Sequence, residues 1–180
     1  RKAHEQEDRA RIIRLIGFYN VMYFCGLRSG EASNLMSNSN QIDFEKGLIH
    51  IFNREGTKDY PAFRVKDHEA RSIPMPICVV NALIEAQEVS EEGCPYIFLS
   101  RNSYERVKKN WHRMVSEGKQ KEWENDMMMN NALRNFKRHC RWAGIKTDKR
   151  LSIQELRKGY GTNLANLGTP MQTLKDLMGH

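Results

Sequence analysis

The sequence lacks the features typical of membrane proteins, of secreted proteins and of proteins with a structural metal site. Its 180 residues include four cysteines, none of them in a C-x-x-C pair, so we expect reduced thiols and neither a disulfide framework nor a zinc site. No apolar run approaches the roughly 20 residues that span a bilayer. The charged N-terminal residues do not resemble a signal peptide. These absences predict a soluble, cytoplasmic protein without a bound metal.

Acidic residues are too few to balance the basic ones. The formal net charge is +7, and residues 101 to 150 alone hold 14 Lys and Arg against 6 Asp and Glu. Such an excess favours a polyanionic partner, although many basic proteins bind none. With 39% hydrophobic residues, the chain suffices for one packed domain, residues 1–180. It begins inside a predicted helix without an initiating Met, so we expect a fragment of a longer protein.

The spacing of apolar residues predicts a mainly α domain (α+β class). Alternating, β-branched segments predict three strands of an antiparallel meander at one edge, at residues 48–53, 62–65 and 71–75. Residues 94–100 are compatible with a strand or a packed loop, and residues 102–126 with an exposed helix and loop. The predicted helices span residues 9–25, 29–36, 77–86, 127–144, 153–167 and 170–178.

Several charged or polar residues lie at the edges of these elements. Arg28 follows the apolar first helix, and Glu31, three residues later, is spaced to hold its guanidinium. Lys66 lies at the predicted hairpin, and Gln154 and Arg157 are one helical turn apart. Each residue has a structural explanation, such as a buried salt bridge, a solvated charge or, for the terminal histidine, a helix C-cap. Two arginines, a lysine and a histidine in this order are less easily explained in this way, and a functional interpretation needs an anion bound between the cations.

Three motifs in this order resemble the catalytic domain of the tyrosine recombinases, the phage integrase family. They are a G-L-R-x-x-E box, a hairpin lysine followed by a basic residue and an apolar-proline pair, and an H-x-L-R box with a later L-G-H. The resemblance covers nearly the whole chain. The matching residues are Gly26, Leu27, Arg28 and Glu31, then Lys66, Arg71, Ile73 and Pro74, then Leu156, Arg157, Met178, Gly179 and His180.

The resemblance implies an enzyme that cleaves and rejoins DNA strands through a 3′ phosphotyrosine. Arg28 and Arg157 would clamp one phosphate, because guanidinium donates two parallel hydrogen bonds and stays charged. Lys66 would protonate the departing 5′ oxygen, and His180 would donate to the same phosphate. The family chemistry needs no metal, cofactor or small-molecule substrate. It implies double-stranded DNA as partner, a tetramer on DNA, and a monomer for the isolated fragment.

The sequence departs from the family at two places. The nucleophilic tyrosine is expected beyond His180, and none of the six tyrosines in the chain occupies that place. Tyr160 lies one turn from Arg157, but at a position where the family has a core aromatic residue. The family histidine of the H-x-L-R box is Gln154 here, and an amide hydrogen-bonds a phosphate oxygen but takes up no proton near pH 7.

A basic helix face and two other functions complete the predictions. Four cations on the 127–144 helix form either a solvated surface or a set of phosphate contacts. One alternative function is a helix-turn-helix DNA-binding module at residues 163–179, without catalysis. The other is a catalytically inactive recombinase homologue that only binds DNA, which Gln154 supports. The four cations are Arg134, Lys137, Arg138 and Arg141, with i, i+3, i+4, i+7 spacing.

Overall fold

The computed structural model describes residues 2–37, 39–66, 70–129, 132–148 and 150–179 of the chain. It confirms the predicted class, a mainly helical domain with a three-stranded antiparallel sheet. No helix among these residues is long and apolar enough to cross a membrane. The elements are α1 (Lys2–Phe24), α2 (Ser29–Ser33), β1 (Ile42–Asp43), β2 (Leu48–Ile51), β3 (Arg71–Pro74), α3 (Ile77–Glu88), α4 (Arg101–Ser116), α5 (Ala132–Trp142), α6 (Glu155–Asn166) and α7 (Met171–Met178), with 3₁₀ helices at Gln120–Glu122 and Asn125–Met128.

The apolar half of α1 is the centre of the main core. It packs against α3 and α6, and Phe18, Val21 and Met22 are almost completely buried. Burying a side chain of this size contributes about 1.5–3 kcal/mol. The helix begins seven residues before the predicted start, in a charged and mostly exposed stretch that carries no apolar periodicity.

The sheet lies in the order β1-β2-β3, and its buried positions alternate along β2. Ile49 pairs with Ile42 on one side and with Ile73 on the other, and its side chain is fully buried. The prediction of a strand at 62–65 is wrong, and β1 takes its place in the sheet. Within 62–65, Phe63 forms an isolated bridge with Arg54.

Side chains satisfy the backbone at 62–65, which explains why this segment forms no ladder. The Arg64 N–H donates to Asn125 Oδ1 at 3.3 Å, and Asn125 Nδ2 donates to the Arg64 carbonyl at 2.6 Å. The Val65 N–H donates to Asn53 Oδ1 at 2.7 Å. Phe63 and Val65 still point into the core, so the alternation in the sequence reflects burial without strand pairing.

Helix α4 is less exposed than the sequence predicts. Tyr104, Val107, Trp111 and Met114 form a buried stripe along it, and long charged residues between them obscured the period. Tyr104 and Val107 belong to a second core with residues of the 94–100 segment, which is a packed loop. The spacing of Leu133, Phe136 and Cys140 predicts one apolar side for α5. This prediction is partly wrong, because Phe136 and Cys140 are buried but Leu133 is 42% exposed.

Candidate functional site

The site begins where the chain leaves α1. Gly26 adopts a left-handed conformation (φ 65°) with the ring of Tyr160 against it. A Cβ at this position would lie 2.2 Å from Tyr160 Cδ1, so only glycine allows this turn. Arg28 is then the N-cap of α2, and the Glu31 carboxylate accepts its backbone N–H at 2.8 Å and its Nη1–H at 3.1 Å. The predicted Arg28–Glu31 pair is therefore present.

Glu31 is shared by three guanidinium groups. Its Oε2 accepts from Arg71 Nη2 at 2.7 Å and lies 3.9 Å from Arg157 Nη1. The Glu31 side chain is only 3% exposed. Burial on its own raises the pKa of this carboxyl, but the hydrogen bond and charge of Arg71, followed by those of Arg28, outweigh it and hold the pKa below its ordinary value. One carboxylate thus balances three cations, and the cluster carries a surplus of positive charge.

The same three arginines hold the C-terminal end of α7. Arg71 Nε donates to the Leu177 carbonyl at 3.2 Å, Arg157 Nη2 donates to that of Met178, and Arg28 Nη2 donates to that of Gly179 at 2.7 Å. The last carbonyls of a helix have no intrahelical partner and carry the negative end of its dipole. Arginine donors are therefore suitable caps, and they join α7 to the arginine cluster.

Arg157 is the most enclosed of the arginines predicted to bind phosphate. It projects from α6, its side chain is 7% exposed, and Nη1 donates to the Gly26 carbonyl. Burial, followed by the charge of Arg28, lowers the pKa of Arg157 to about 10. The guanidinium therefore stays protonated at neutral pH. Arg28, at 19% exposed, is more accessible.

A cleft of about 610 Å³ lies beside the cluster, and Arg28, Lys66, Gln154 and Arg157 all line it. The structure thus brings together four of the five residues predicted as catalytic. Lys66 is exposed on a turn, and His180 lies outside the described residues. No tyrosine of the described chain lines the cleft, and Tyr160 is a buried core residue, as predicted. The remaining lining residues are Ser29, Gly30, Glu31, Arg64, Trp123, Glu124, Asn125 and Asp126.

A family model described as the phage integrase family matches residues 3–180. The chain belongs to the phage integrase family. Its fold is similar to that of XerA recombinase (TM-score 0.64, 18% identity, 98% of this chain and 54% of that one). It is also similar to the Tn1549 transposon integrase, solved with circular intermediate DNA (TM-score 0.62, 20% identity, 91% of this chain and 50% of that one).

The Tn1549 integrase in complex with transposon right end DNA gives a similar result, with a TM-score of 0.59, 19% identity and coverage of 100% of this chain and 52% of that one. The chain thus spans about half the length of the solved chains that it matches. No curated protein sequence matches it.

Arg71 is the member of this integrase site to which the sequence assigned no role. It is the first residue of β3, and its side chain is 7% exposed behind the cleft rather than along it. The hairpin motif contained the residue, but its contacts with Glu31 and with Leu177, 106 positions away, depend on how β3 packs against α7. Motif spacing alone carries no signal of that packing.

The four cations of α5 lie away from the integrase cleft, since none of them lines it. Arg134 and Arg138 line a separate groove that also holds Glu7 and Asp8 of α1. The Arg138 guanidinium lies 5.1 Å from the centre of the Trp142 ring, a cation–π distance. Contact between Arg134, Lys137, Arg138 or Arg141 and DNA therefore stays a prediction.

Proposed function

We propose that the chain is the catalytic domain of a site-specific recombinase that cleaves and rejoins DNA through a 3′ phosphotyrosine. The observation that carries the proposal is the pairing of Arg28 and Arg157 at one cleft, with Lys66 on its rim and Glu31 behind them. A cluster with more cations than anions, open on one side, is suited to a phosphate diester.

Strand cleavage replaces the bond between phosphorus and the 5′ oxygen by a bond to a tyrosine oxygen. Negative charge grows on the non-bridging oxygens as the two bonds exchange, and Arg28 and Arg157 would stabilise it by roughly 3 kcal/mol per well-aimed donor. Lys66 would give a proton to the departing 5′ oxygen, while the attacking hydroxyl releases its own proton to solvent. The tyrosine would come from a segment outside the described residues, and rejoining reverses the exchange without a metal or cofactor.

The assembly follows from the same proposal. A DNA-binding domain of a longer chain would close around the duplex together with this domain, and four copies would assemble on two DNA sites. The isolated domain would be a monomer with weak, non-specific and salt-dependent binding to double-stranded DNA. The described cysteines are free, which fits the predicted cytoplasmic location.

A covalent trap tests the proposal. The full-length protein that contains this domain should form a phosphotyrosine adduct with a nicked substrate whose cleaved fragment diffuses away. Arg28→Ala and Arg157→Ala should slow formation of the adduct by about 10²- to 10³-fold. If the natural protein binds DNA in every assay and forms no adduct, the inactive homologue suggested by Gln154 is the correct function.

A further inference from the structure

The family histidine is replaced here by Gln154, and the structure shows what this amide contacts. Gln154 is the N-cap residue of α6 and lines the cleft. Its Nε2 donates to Ser29 Oγ at 3.2 Å, and Ser29 Oγ donates to Asp126 Oδ1 at 2.9 Å. Ser29 is the residue after Arg28 and the first of α2. A chain of two hydrogen bonds therefore joins three elements beside the arginine cluster.

The carboxylate determines the direction of this chain. An ionised aspartate only accepts hydrogen bonds, so the single Ser29 hydroxyl proton is directed to Asp126 and the serine oxygen accepts from Gln154. The amide nitrogen of Gln154 consequently faces Ser29, and its oxygen takes the opposite side. Gln154 Oε1 has no hydrogen-bond partner among the described residues. Gln154 thus adds an uncharged acceptor to a cleft whose other acceptors include the carboxylates of Glu31, Glu124 and Asp126.

Packing of the surrounding segment holds Asp126 within hydrogen-bond distance of Ser29. The 3₁₀ helix Asn125–Met128 packs on α2 so closely that a Cβ on Gly30 would lie 2.8 Å from Asn125 Cβ and 3.1 Å from Asp126 Oδ1. Asn34 Nδ2 donates to the Asn125 carbonyl at 3.3 Å, and Met128 is fully buried. The carboxylate thus belongs to a segment anchored on both sides.

We propose that Asp126 is a positioning residue that acts through Ser29 to hold the amide oxygen of Gln154 toward the reacting phosphate. There the oxygen accepts a hydrogen bond from the attacking hydroxyl before the reaction and turns a lone pair of that hydroxyl toward phosphorus. Gln154 takes up no proton in this role, and the hydroxyl proton passes to solvent as the bond to phosphorus forms. The inference rests on the proposed recombinase function, and it differs from the sequence expectation that the amide donates to a phosphate oxygen.

Asp126→Asn tests the donor-to-acceptor direction of the two hydrogen bonds that join Gln154, Ser29 and Asp126. An asparagine at this position donates to Ser29 as readily as it accepts, which frees the serine proton to pair with Gln154 Oε1 and lets the amide reverse. Single-turnover cleavage of a nicked substrate by the full-length protein should slow about tenfold, the scale of one hydrogen bond. The dissociation constant for DNA should stay equal or fall, because a negative charge leaves the cleft.

Glu124→Gln is the matched control. Glu124 lines the same cleft and loses the same charge, but none of the side-chain hydrogen bonds of the described residues joins it to Ser29 or Gln154. It should alter DNA binding as Asp126→Asn does, with a cleavage rate within about twofold of the natural one. Equal slowing by both variants would overturn the proposal, because the cleft charge would then explain the effect.

Combining variants tests whether Asp126 acts through the amide. Gln154→Ala removes the group that Asp126 positions, so adding Asp126→Asn to it should slow cleavage no further than about twofold. Ser29→Ala should resemble Asp126→Asn for the same reason. Two independent effects that multiply in the double variant would contradict the proposed route.

A measurement without activity separates this inference from the function on which it rests. The side-chain NH₂ signals of Gln154 in an NMR spectrum of this domain are identified by their loss in Gln154→Ala. They should shift in Asp126→Asn and in Ser29→Ala, and stay in place in Glu124→Gln. If the Gln154 signals do not shift in Asp126→Asn, the inference is wrong, whatever the cleavage rates are. If the signals shift as expected but the natural protein forms no adduct, only the proposed function is wrong.

Discussion

Two groups of arginine contacts in this domain, one around Arg54 and one around Glu31, differ in whether a carboxylate balances the positive charge. Arg54 lies among aromatic rings, with its Cζ 5.1 Å from the ring centre of Tyr60 and 5.7 Å from that of Tyr96. Its Nη atoms donate to the carbonyl and side-chain oxygens of Asn34 at 3.3 Å. Among the described residues it forms no ion pair. In the second group, Glu31 is shared by Arg28, Arg71 and Arg157.

The difference shows what makes a buried arginine a candidate for binding an anion. Arg54 packs against aromatic rings and donates to neutral acceptors, and burial lowers its pKa. It is not among the residues that line the cleft. The Glu31 cluster keeps more cations than its carboxylate neutralises, and two of its arginines line a cleft. Surplus charge and access, rather than burial, distinguish a site from a structural contact.

Removing the shared carboxylate should have the largest effect on stability. Glu31→Gln removes the charged group that three guanidinium groups share, and we expect the free energy of unfolding at pH 7 to fall by about 3–5 kcal/mol, as for other broken buried pairs. Glu55→Gln, which breaks the exposed pair with Arg64, should cost less than about 1 kcal/mol. Urea unfolding measures both, and similar losses would show that the cluster is not held by Glu31.

The pH dependence of the same variant gives a second measurement. The pKa of Glu31 is lower in the folded protein than its unfolded value of about 4.3. The stabilisation from this carboxylate is therefore complete above that value and is lost as the pH falls through the folded pKa. As the pH falls below about 4.3, the natural protein should lose stability more steeply than Glu31→Gln. Parallel curves would contradict the assigned pKa direction.

Changing single arginines should separate the two groups by activity. Arg28→Ala or Arg157→Ala in the full-length protein should slow covalent adduct formation about 10²- to 10³-fold, because each leaves developing charge without a donor. Arg54→Met should lower the melting temperature but leave the rate within about threefold at temperatures where it is folded. An equally slow Arg54→Met would mean that the cleft has no special role in the reaction.

Local contacts were the part of the site that the sequence predicted well. Arg28 and Glu31 are three residues apart, so a single helical turn is enough to pair them, and motif order then identified Lys66 and Arg157. Asp126 could not be predicted, because it reaches Ser29 from 97 positions away. That contact depends on Gly30 allowing two segments to pack closely, and one glycine among twelve carries no such signal.

Predictions of the fold likewise succeeded for local patterns and failed where contacts between distant segments determine the structure. Helices with a clear apolar period, such as α6 and α7, were predicted within about two residues at each end, whereas α4 was taken as exposed because charged residues separate its buried stripe. The strand prediction at 62–65 failed for a related reason. Alternation reports which side chains are buried, but only the packed structure shows that Asn125 and Asn53 take the place of a neighbouring strand.

Substituting Gln154 should have an intermediate effect. Gln154→Ala should slow cleavage about 10- to 100-fold, equivalent to roughly 1.5–3 kcal/mol for one hydrogen bond to a charged or reacting group. That is less than the loss from Arg157→Ala. Gln154→His should restore the natural rate or exceed it and add a titration near pH 6 to 7 that the natural protein lacks. Rates between pH 5.5 and 8.5 would show it, and a Gln154→Ala variant as slow as Arg157→Ala would refute an auxiliary role.

The smallest expected effect concerns the basic face of α5, which lies outside the cleft. If its cations neutralise DNA phosphates, replacing all four by Gln should reduce the slope of log affinity against log salt by up to about 0.9 for each phosphate that is no longer neutralised. Exposed cations of α4 that do not line the groove of Arg134 and Arg138, namely Arg101, Lys109 and Arg113, provide a comparison set of similar charge. Because Lys137 and Arg138 are only half-exposed and Arg138 lies against the Trp142 ring, we expect fewer than four neutralised phosphates and a partial reduction. The replaced residues are Arg134, Lys137, Arg138 and Arg141.

Salt titrations of DNA binding by both variants decide whether α5 is part of the DNA surface. A reduced slope for the α5 variant with an unchanged slope for the α4 variant would extend that surface from the cleft to α5. Equal reductions would indicate an effect of net charge at a distance, which is not confined to one helix. An unchanged slope for the α5 variant would mean that this face is solvated, and the cluster around Glu31 would then be the principal phosphate-binding region of the domain.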